Sequence, residues 1–313
     1  MAASLRNRSF TNLADKNDSV LNDDWVHGAL ETWKIKGKTA NGGKWDWKGK
    51  IKHSQQNGQL QGALNDEVKI QFPYDRYYFW LGTRRNGDLK VHVDLGNVTL
   101  GGKDVNLFTN LKTTIGFKKF AFRFGYNYFG NGLTLSQRVQ THCGEGCPQM
   151  TWNITNRLWA RKKDFIYGLV TSINHNLQLS QYDAIIGYER DNTNVYLEHT
   201  TPKDSAKINA GTLTAVTTYT RDNNTFGVEI ANNFQTNKVA AALAIESRLT
   251  GQNATAKAKI NNKSVLDLAY KRQINKQLNV TTSGSLDLSK GAKAVDFSKI
   301  VPIPFGVQFE LNV

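Results

Sequence analysis

The residues best placed to do chemistry are seven lysines on one short stretch: Lys34, Lys36, Lys38, Lys44, Lys48, Lys50 and Lys52. All stand at even positions. Side chains on a strand alternate between its two faces, so the ladder shares a face. The other face carries Trp33, Ile35, Trp45, Trp47 and Ile51. Ammonium groups in such a row perform no covalent chemistry. If the apolar face meets an apolar medium, the row lines the watery side and its potential selects anions. The same ladder also suits a plain solvated sheet face. Arg123, Lys257 and Lys259 lie on comparable ribbons, and Asp46, Asp94, Asp267, Asp287 and Glu310 share those polar faces. The anion preference expected is therefore partial.

Other chemistries find little support. His142-Cys143-Gly144-Glu145-Gly146-Cys147 invites a metal or redox reading. Its cysteines are not in C-x-x-C spacing, however, and no second pair completes a tetrahedral site. A loop disulfide or plain loop cysteines are expected. The six histidines are scattered, and no Ser/His/Asp order, HExxH or Gly-rich phosphate loop occurs. Neither catalysis nor a cofactor is expected. The lysines are spread along strands rather than gathered with exposed aromatics, which argues against nucleic acid as a partner.

The elements that position these residues are strands. Leu278 to Leu288 places apolar or small residues at every even position except Thr282, and the same alternation closes the chain in Val307-Gln308-Phe309-Glu310-Leu311-Asn312-Val313. Leu89, Val91, Val93 and Leu95 alternate with Lys90, His92 and Asp94. Phe122, Phe124, Tyr126 and Tyr128 enclose Arg123, Gly125 and Asn127. Val239, Ala241, Leu243 and Ile245 share a face, as do Ala254, Ala256, Ala258 and Ile260 opposite Thr255, Lys257 and Lys259. Turn signals separate the ribbons: Asn41-Gly42-Gly43, Asn57-Gly58, Asn86-Gly87, Gly101-Gly102, Asn131-Gly132, Asp222-Asn223-Asn224 and Asn261-Asn262. Short spacing of this kind predicts an antiparallel meander, not βαβ units.

Residues 1–30 lack the alternation. Leu13, Val20, Leu21 and Trp25 sit at loosely helical spacing, with Ser19 or Asn22 as a cap for a short helix. The organisation expected is an N-terminal segment, 1–30, and one all-β unit, 31–313.

A net charge of +14 implies anionic partners. No run of 18 apolar residues exists, so no transmembrane helix is expected, but a spanning strand needs only about 9–11 residues, half of them apolar. A soluble barrel hides its apolar face inside; here the polar, basic face is the regular one, so the apolar face points outward into lipid. Tyr74, Tyr77, Tyr78, Trp80, Tyr126, Tyr128, Trp152 and Trp159 stand near strand ends, where interfacial aromatic girdles belong. Met1 to Phe10 has no apolar signal core. A barrel without an export signal is expected in the mitochondrial outer membrane or its plastid equivalent.

The segment Lys257 to Tyr270 resembles the signature of the eukaryotic mitochondrial porins, the voltage-dependent anion channels. Lys259, Ile260, Asn261 and Asn262 stand where that family has a basic residue, an aliphatic and a hairpin turn, and Leu268 and Tyr270 complete the next strand. Gly306, Phe309 and Leu311 match the family's C-terminal insertion signal, a glycine followed by hydrophobics three and five residues on. Weaker likeness runs through Trp33–Lys52 and Ala184–Leu197. Asp267 stands where a small residue is usual, and Tyr77–Thr83 holds no membrane-facing carboxylate.

The resemblance implies a transmembrane β-barrel of about 19 strands, as in that family, with the first and last strands parallel, Trp33–Thr39 beside Val307–Val313. The N-terminal segment would lie in or near the lumen, where its acids could meet the lysine wall. The function implied is a diffusion pore of the mitochondrial outer membrane passing anionic metabolites, such as nucleotides, and small ions. Its lining would include Lys34, Lys36, Lys44, Lys48, Lys50, Arg123, Lys257 and Lys259. Membrane lipid, further copies of the chain and other membrane proteins are its expected partners. The rivals are the related protein-translocase pore and a barrel retained as a structural subunit of a larger assembly.

Overall fold

The computed structural model describes residues 20–21, 31–56, 59–74, 77–100, 103–114, 119–130, 132–144, 150–202, 210–290 and 305–313. Val20 and Leu21 are helical; the proposed caps Ser19 and Asn22 lie outside the described residues. Nineteen strands follow. They are β1 (Glu31–Lys38), β2 (Lys44–Gln56), β3 (Gln59–Tyr74), β4 (Tyr77–Arg84), β5 (Asp88–Leu100), β6 (Lys103–Thr114) and β7 (Phe120–Phe129). Then come β8 (Leu133–Cys143), β9 (Met150–Lys162), β10 (Phe165–Asn174), β11 (Leu179–Arg190), β12 (Thr193–Thr200) and β13 (Thr212–Arg221). The last six are β14 (Asn224–Asn233), β15 (Lys238–Leu249), β16 (Ala254–Asn261), β17 (Val265–Gln273), β18 (Leu278–Asp287) and β19 (Phe305–Asn312).

Each strand pairs antiparallel with its sequence neighbours, and β1 pairs parallel with β19, so the sheet closes into a barrel. Closure leaves no edge to aggregate. The seam register is Trp33↔Phe309 and Ile35↔Leu311, within the pairing that the resemblance implied. Nineteen strands about 4.8 Å apart and tilted by about 40° enclose a backbone cylinder roughly 38 Å across.

Alternation decides which side chains face in. On β10, Phe165, Tyr167 and Leu169 are 45%, 42% and 41% exposed, whereas Ile166 and Val170 between them are 1% and 5%. On β15, Leu243 is 58% exposed and its neighbours Ala242 and Ala244 are 7%. Cross-strand register carries this parity around the barrel, because directly opposed residues share a face. The outer face is mainly apolar and exposed; the inner face is mainly polar and charged. A bulge adjusts β5, where the register shifts between Asp94 and Gly96. Gly96 takes φ +75°, and Asp94 Oδ1 accepts from Gly96 N at 2.9 Å and Asn106 Nδ2 at 2.7 Å.

The parity corrects the expected aromatic girdle in part. Tyr77, Tyr126, Tyr128 and Trp152 point outward, but Tyr78, Trp80 and Trp159 point in, because they oppose Asp94, His92 and Thr134. The side chain of Tyr74 lies outside the described residues. Trp159 joins Ile166, Val170, Ile185 and Tyr196 in a buried inner cluster on β9–β12. Beside it, Glu189 accepts from Arg161 Nη1 at 3.0 Å and from the Tyr196 hydroxyl.

Candidate functional site

Lys34, Lys36, Lys44, Lys48 and Lys50 all face the interior. Lys34 opposes Lys48 across β1–β2, and the same row continues to Glu310 on one side and to Glu67 and Arg84 on the other. Lys36 is ion-paired with Glu310 and opposes Asp46. Glu67 receives Arg84 at 3.2 Å and Lys90 at 3.7 Å. These exposed pairs add little stability. They do blunt the positive potential without reversing it. The side chain of Lys52 lies outside the described residues.

Charge divides unevenly around the wall. On β1–β9 the inward cations are Lys34, Lys36, Lys38, Lys44, Lys48, Lys50, Lys69, Arg84, Lys90, Lys112, Arg123, Arg138, Arg157 and Arg161. Against them stand Asp46, Glu67, Asp88, Asp94 and Asp104. On β10–β19 the balance reverses, with Asp183, Glu189, Glu198, Glu229, Glu246, Asp267, Asp287 and Glu310 facing in against Lys238, Arg248, Lys257, Lys259 and Lys271. The interior thus has a basic half and an acidic half, and a field runs across it.

Lys257 and Lys259 face inward but are engaged. Lys257 Nζ meets Glu246 Oε2 at 3.1 Å, with its side chain 4% exposed. Lys259 Nζ donates to the Leu21 carbonyl at 2.9 Å and opposes Asp267 in register. Asp267 therefore faces a cation, which accounts for a carboxylate at that place. Val20 and Leu21 are themselves 1% exposed and pack with Ala244 and Val216. Gly227 makes this possible, since a Cβ there would lie 3.3 Å from Val20 Cγ1 and from Leu21 Cγ. The described part of the N-terminal segment sits inside the barrel, on β13–β16 rather than on the lysine wall of β1–β3. The acids of that segment lie outside the described residues.

Arg123 has partners that sequence reasoning missed. Lys112 opposes Ala121, Arg123 opposes Gln140, Arg138 opposes Gly125 and Thr155, and Arg157 opposes Ser136. From β6 to β9 each cation thus lies one strand over and two residues further along, a diagonal whose steps are about 7–8 Å between residues. Arg123 donates from Nε and Nη2 to Gln140 Oε1, at 3.0 and 2.6 Å. Arg138 lies over the Phe108 ring at 5.2 Å. Gly125 leaves room for both, because a Cβ there would fall 2.7 Å from Phe108 Cζ and 3.1 Å from Arg138 Cγ. Alternation could have flagged Arg138 and Arg157, but Gln137 and Asn156 interrupt the outward apolar face on their strands, hydrogen-bonded to each other at 2.9 Å.

The three residues matched to the family's C-terminal signal divide by face. Gly306 points inward opposite Ser283, and Phe309 and Leu311 point outward beside Val280 and Leu278. Cys143, at the end of β8, is disulfide-bonded in a chain whose other cysteine is Cys147. Among the described residues no three His, Cys, Asp or Glu side chains converge as a metal site. No protein-family model and no curated protein matches the chain. The fold itself, a closed 19-stranded barrel, fits a porin-like pore.

Proposed function

We propose that the protein is a passive diffusion pore of the mitochondrial outer membrane, a divergent member of the voltage-dependent anion channel family, that favours small anions and anionic metabolites. The observation that carries this reading is the inversion of the barrel. Large apolar side chains cover its outside, among them Ile230, Leu243 and Phe226 at 49%, 58% and 45% exposure, while charged groups point in. A contiguous apolar coat of this kind is untenable in water and suits hydrocarbon. Strands of about ten residues at membrane-barrel tilt cover an apolar band of ~25 Å.

The cationic half of the wall supports anion preference, and the acidic half keeps that preference mild. Reversal potentials in planar bilayers under a KCl gradient test the reading. A shift toward the chloride potential is expected. A potential at or beyond the potassium side, or a chain that is monomeric and folded without detergent, would overturn it.

The acidic half of β10–β19 favours a second reading, a protein-translocase pore that receives cationic peptides. Voltage-dependent block by a basic amphipathic peptide at low micromolar concentration would favour that reading. An unblocked, anion-biased current favours the metabolite pore.

A further inference from the structure

Three successive hairpins at one rim of the barrel share a design. β9–β10, β11–β12 and β13–β14 each close through a two-residue turn, at 163–164, 191–192 and 222–223. The first turn residue takes the left-handed region each time: Lys163 at φ 54°, Asp191 at 48° and Asp222 at 53°. The strand residue before each turn is a cation, Lys162, Arg190 and Arg221. All three point outward. Lys162 opposes the exposed Phe165, Arg190 shares its face with the exposed Ile186, and Arg221 shares its face with the exposed Tyr219. Alternate strands lie about 10 Å apart, so the cations form a row along the outer edge. Aromatic rings lie just beneath them. Phe165 meets Tyr188 at 5.2 Å between centroids, and Phe226 opposes Tyr219. On β17, Arg272 beyond Tyr270 continues the pattern.

The opposite rim of the same strands is different. Its outward ends include Met150, Leu179 and Val239, all exposed, and among the described residues of β9–β15 no lysine or arginine faces outward there. The acids beside the cationic row are weak competitors. Asp191 lies 3.5 Å from Arg190 and Asp222 3.9 Å from Arg221, and both carboxylate side chains are 85% exposed. Exposed pairs of this kind contribute little. Asp164 completes the first turn, and Glu189 faces inward to Arg161. A long cationic side chain at the edge of an apolar wall, just past a belt of rings, reaches the depth of phospholipid phosphates. A soluble acidic partner would need charges aimed along the barrel axis, whereas these stand on its side wall.

We propose that the outer edge formed by Lys162, Arg190 and Arg221 binds the phosphates of anionic phospholipids, so that this rim, and not the opposite one, selects acidic lipid. It rests on the reading of the apolar outer wall as lipid-facing, and adds to that reading a headgroup class and a side.

The full chain, reconstituted in phosphatidylcholine vesicles with a trace of spin-labelled phosphatidylglycerol or spin-labelled phosphatidylcholine, tests the edge. Electron paramagnetic resonance reads the fraction of each label immobilised at the barrel. At about 0.1 M salt phosphatidylglycerol should be preferred about fivefold or more, and the preference should fall toward one at about 1 M. Lys162→Gln/Arg190→Gln/Arg221→Gln should remove most of it. Arg85→Gln/Lys238→Gln/Lys263→Gln takes equal charge from the opposite rim and should keep it. Asp191→Asn/Asp222→Asn removes the competing acids and should raise the preference, a readout that survives if the first variant fails to insert. No preference in the parent, equal losses in both triple variants, or an unchanged preference in Asp191→Asn/Asp222→Asn would overturn the proposal. Displacement of the lipid label by inorganic phosphate or by polyglutamate, at constant ionic strength, would do the same and point to a free anion or an acidic protein. Immobilisation of both labels without preference sinks the edge alone; immobilisation of neither sinks the lipid-facing reading with it.

Discussion

Trp33 and Phe309 stack across the parallel seam between β1 and β19, their ring centroids 4.5 Å apart and their planes 23° from parallel. The pair joins the two ends of the barrel on its outer face. Trp33 Nε1 also donates to Glu31 Oε1 at 2.5 Å, which fixes the indole beside the seam. Stacked aromatic pairs contribute about 0.5–1.5 kcal/mol beyond their buried area. A double-mutant cycle on Trp33→Ala and Phe309→Ala, read by denaturant unfolding in micelles, should return a coupling of that size. Strict additivity would mean that the seam draws nothing from the stack.

Selectivity should follow the basic half. Lys34→Glu/Lys48→Glu reverses two interior charges on adjacent strands flanked by Glu310 and Glu67. The reversal potential in a KCl gradient should move toward the potassium side, and the movement should shrink as salt rises, since the Debye length falls from about 10 Å at 0.1 M to about 3 Å at 1 M. A variant with the parental potential at low salt would show that these lysines do not face the conducting path.

Lys257 should behave as a structural residue. Its ammonium is buried against Glu246, so Lys257→Met leaves that buried carboxylate only the exposed Arg248, 3.8 Å away. Breaking a buried pair from one side costs about 3–5 kcal/mol. Lys257→Met/Glu246→Gln should recover much of the loss in unfolding experiments, because the only charge then left without its partner is the exposed Arg248. Selectivity in the double variant should shift less than in Lys34→Glu/Lys48→Glu. Single and double variants of equal stability would refute the pairing.

The seat of Val20 and Leu21 depends on the bare backbone at Gly227. Gly227→Val places methyl groups where both side chains now sit, given the 3.3 Å clearance of a Cβ alone. Labelling of Leu21→Cys by a charged maleimide, slow in the parent because position 21 is 1% exposed, should accelerate several-fold. Lys259→Met, which removes the donor to the Leu21 carbonyl, should act in the same direction and more weakly. An unaltered labelling rate in Gly227→Val would place the segment elsewhere in solution.

Much of the barrel is legible because its wall obeys one rule, apolar out and polar in, repeated without helices to confuse the period. Leu278 to Leu288 and Phe122 to Tyr128 show that rule directly. It fails to show where a strand breaks it on one face. Gln137 and Asn156 make β8 and β9 read as featureless, which hid Arg138 and Arg157. Trp80 and Trp159 resemble interfacial aromatics until the register with His92 and Thr134 turns them inward. The split of charge into two halves is invisible for another reason. It depends on which strands are neighbours around the whole circle, and the total charge averages it away. The engagement of Lys257 and Lys259 likewise follows from Glu246 and Leu21, neither of which their own strand contains.

One consequence of the parallel seam concerns time. Every other strand meets a neighbour that left the ribosome just before or just after it, whereas β1 must wait for β19. A nascent chain can form hairpin upon hairpin and still remain an unzipped sheet with its greasy side bare. The final contact spans almost the entire polypeptide, so its loop-closing entropy falls due at the end, and formation of the cylinder is slow and concerted. The eight-residue β19 is thus the strand whose pairing with β1 closes the cylinder.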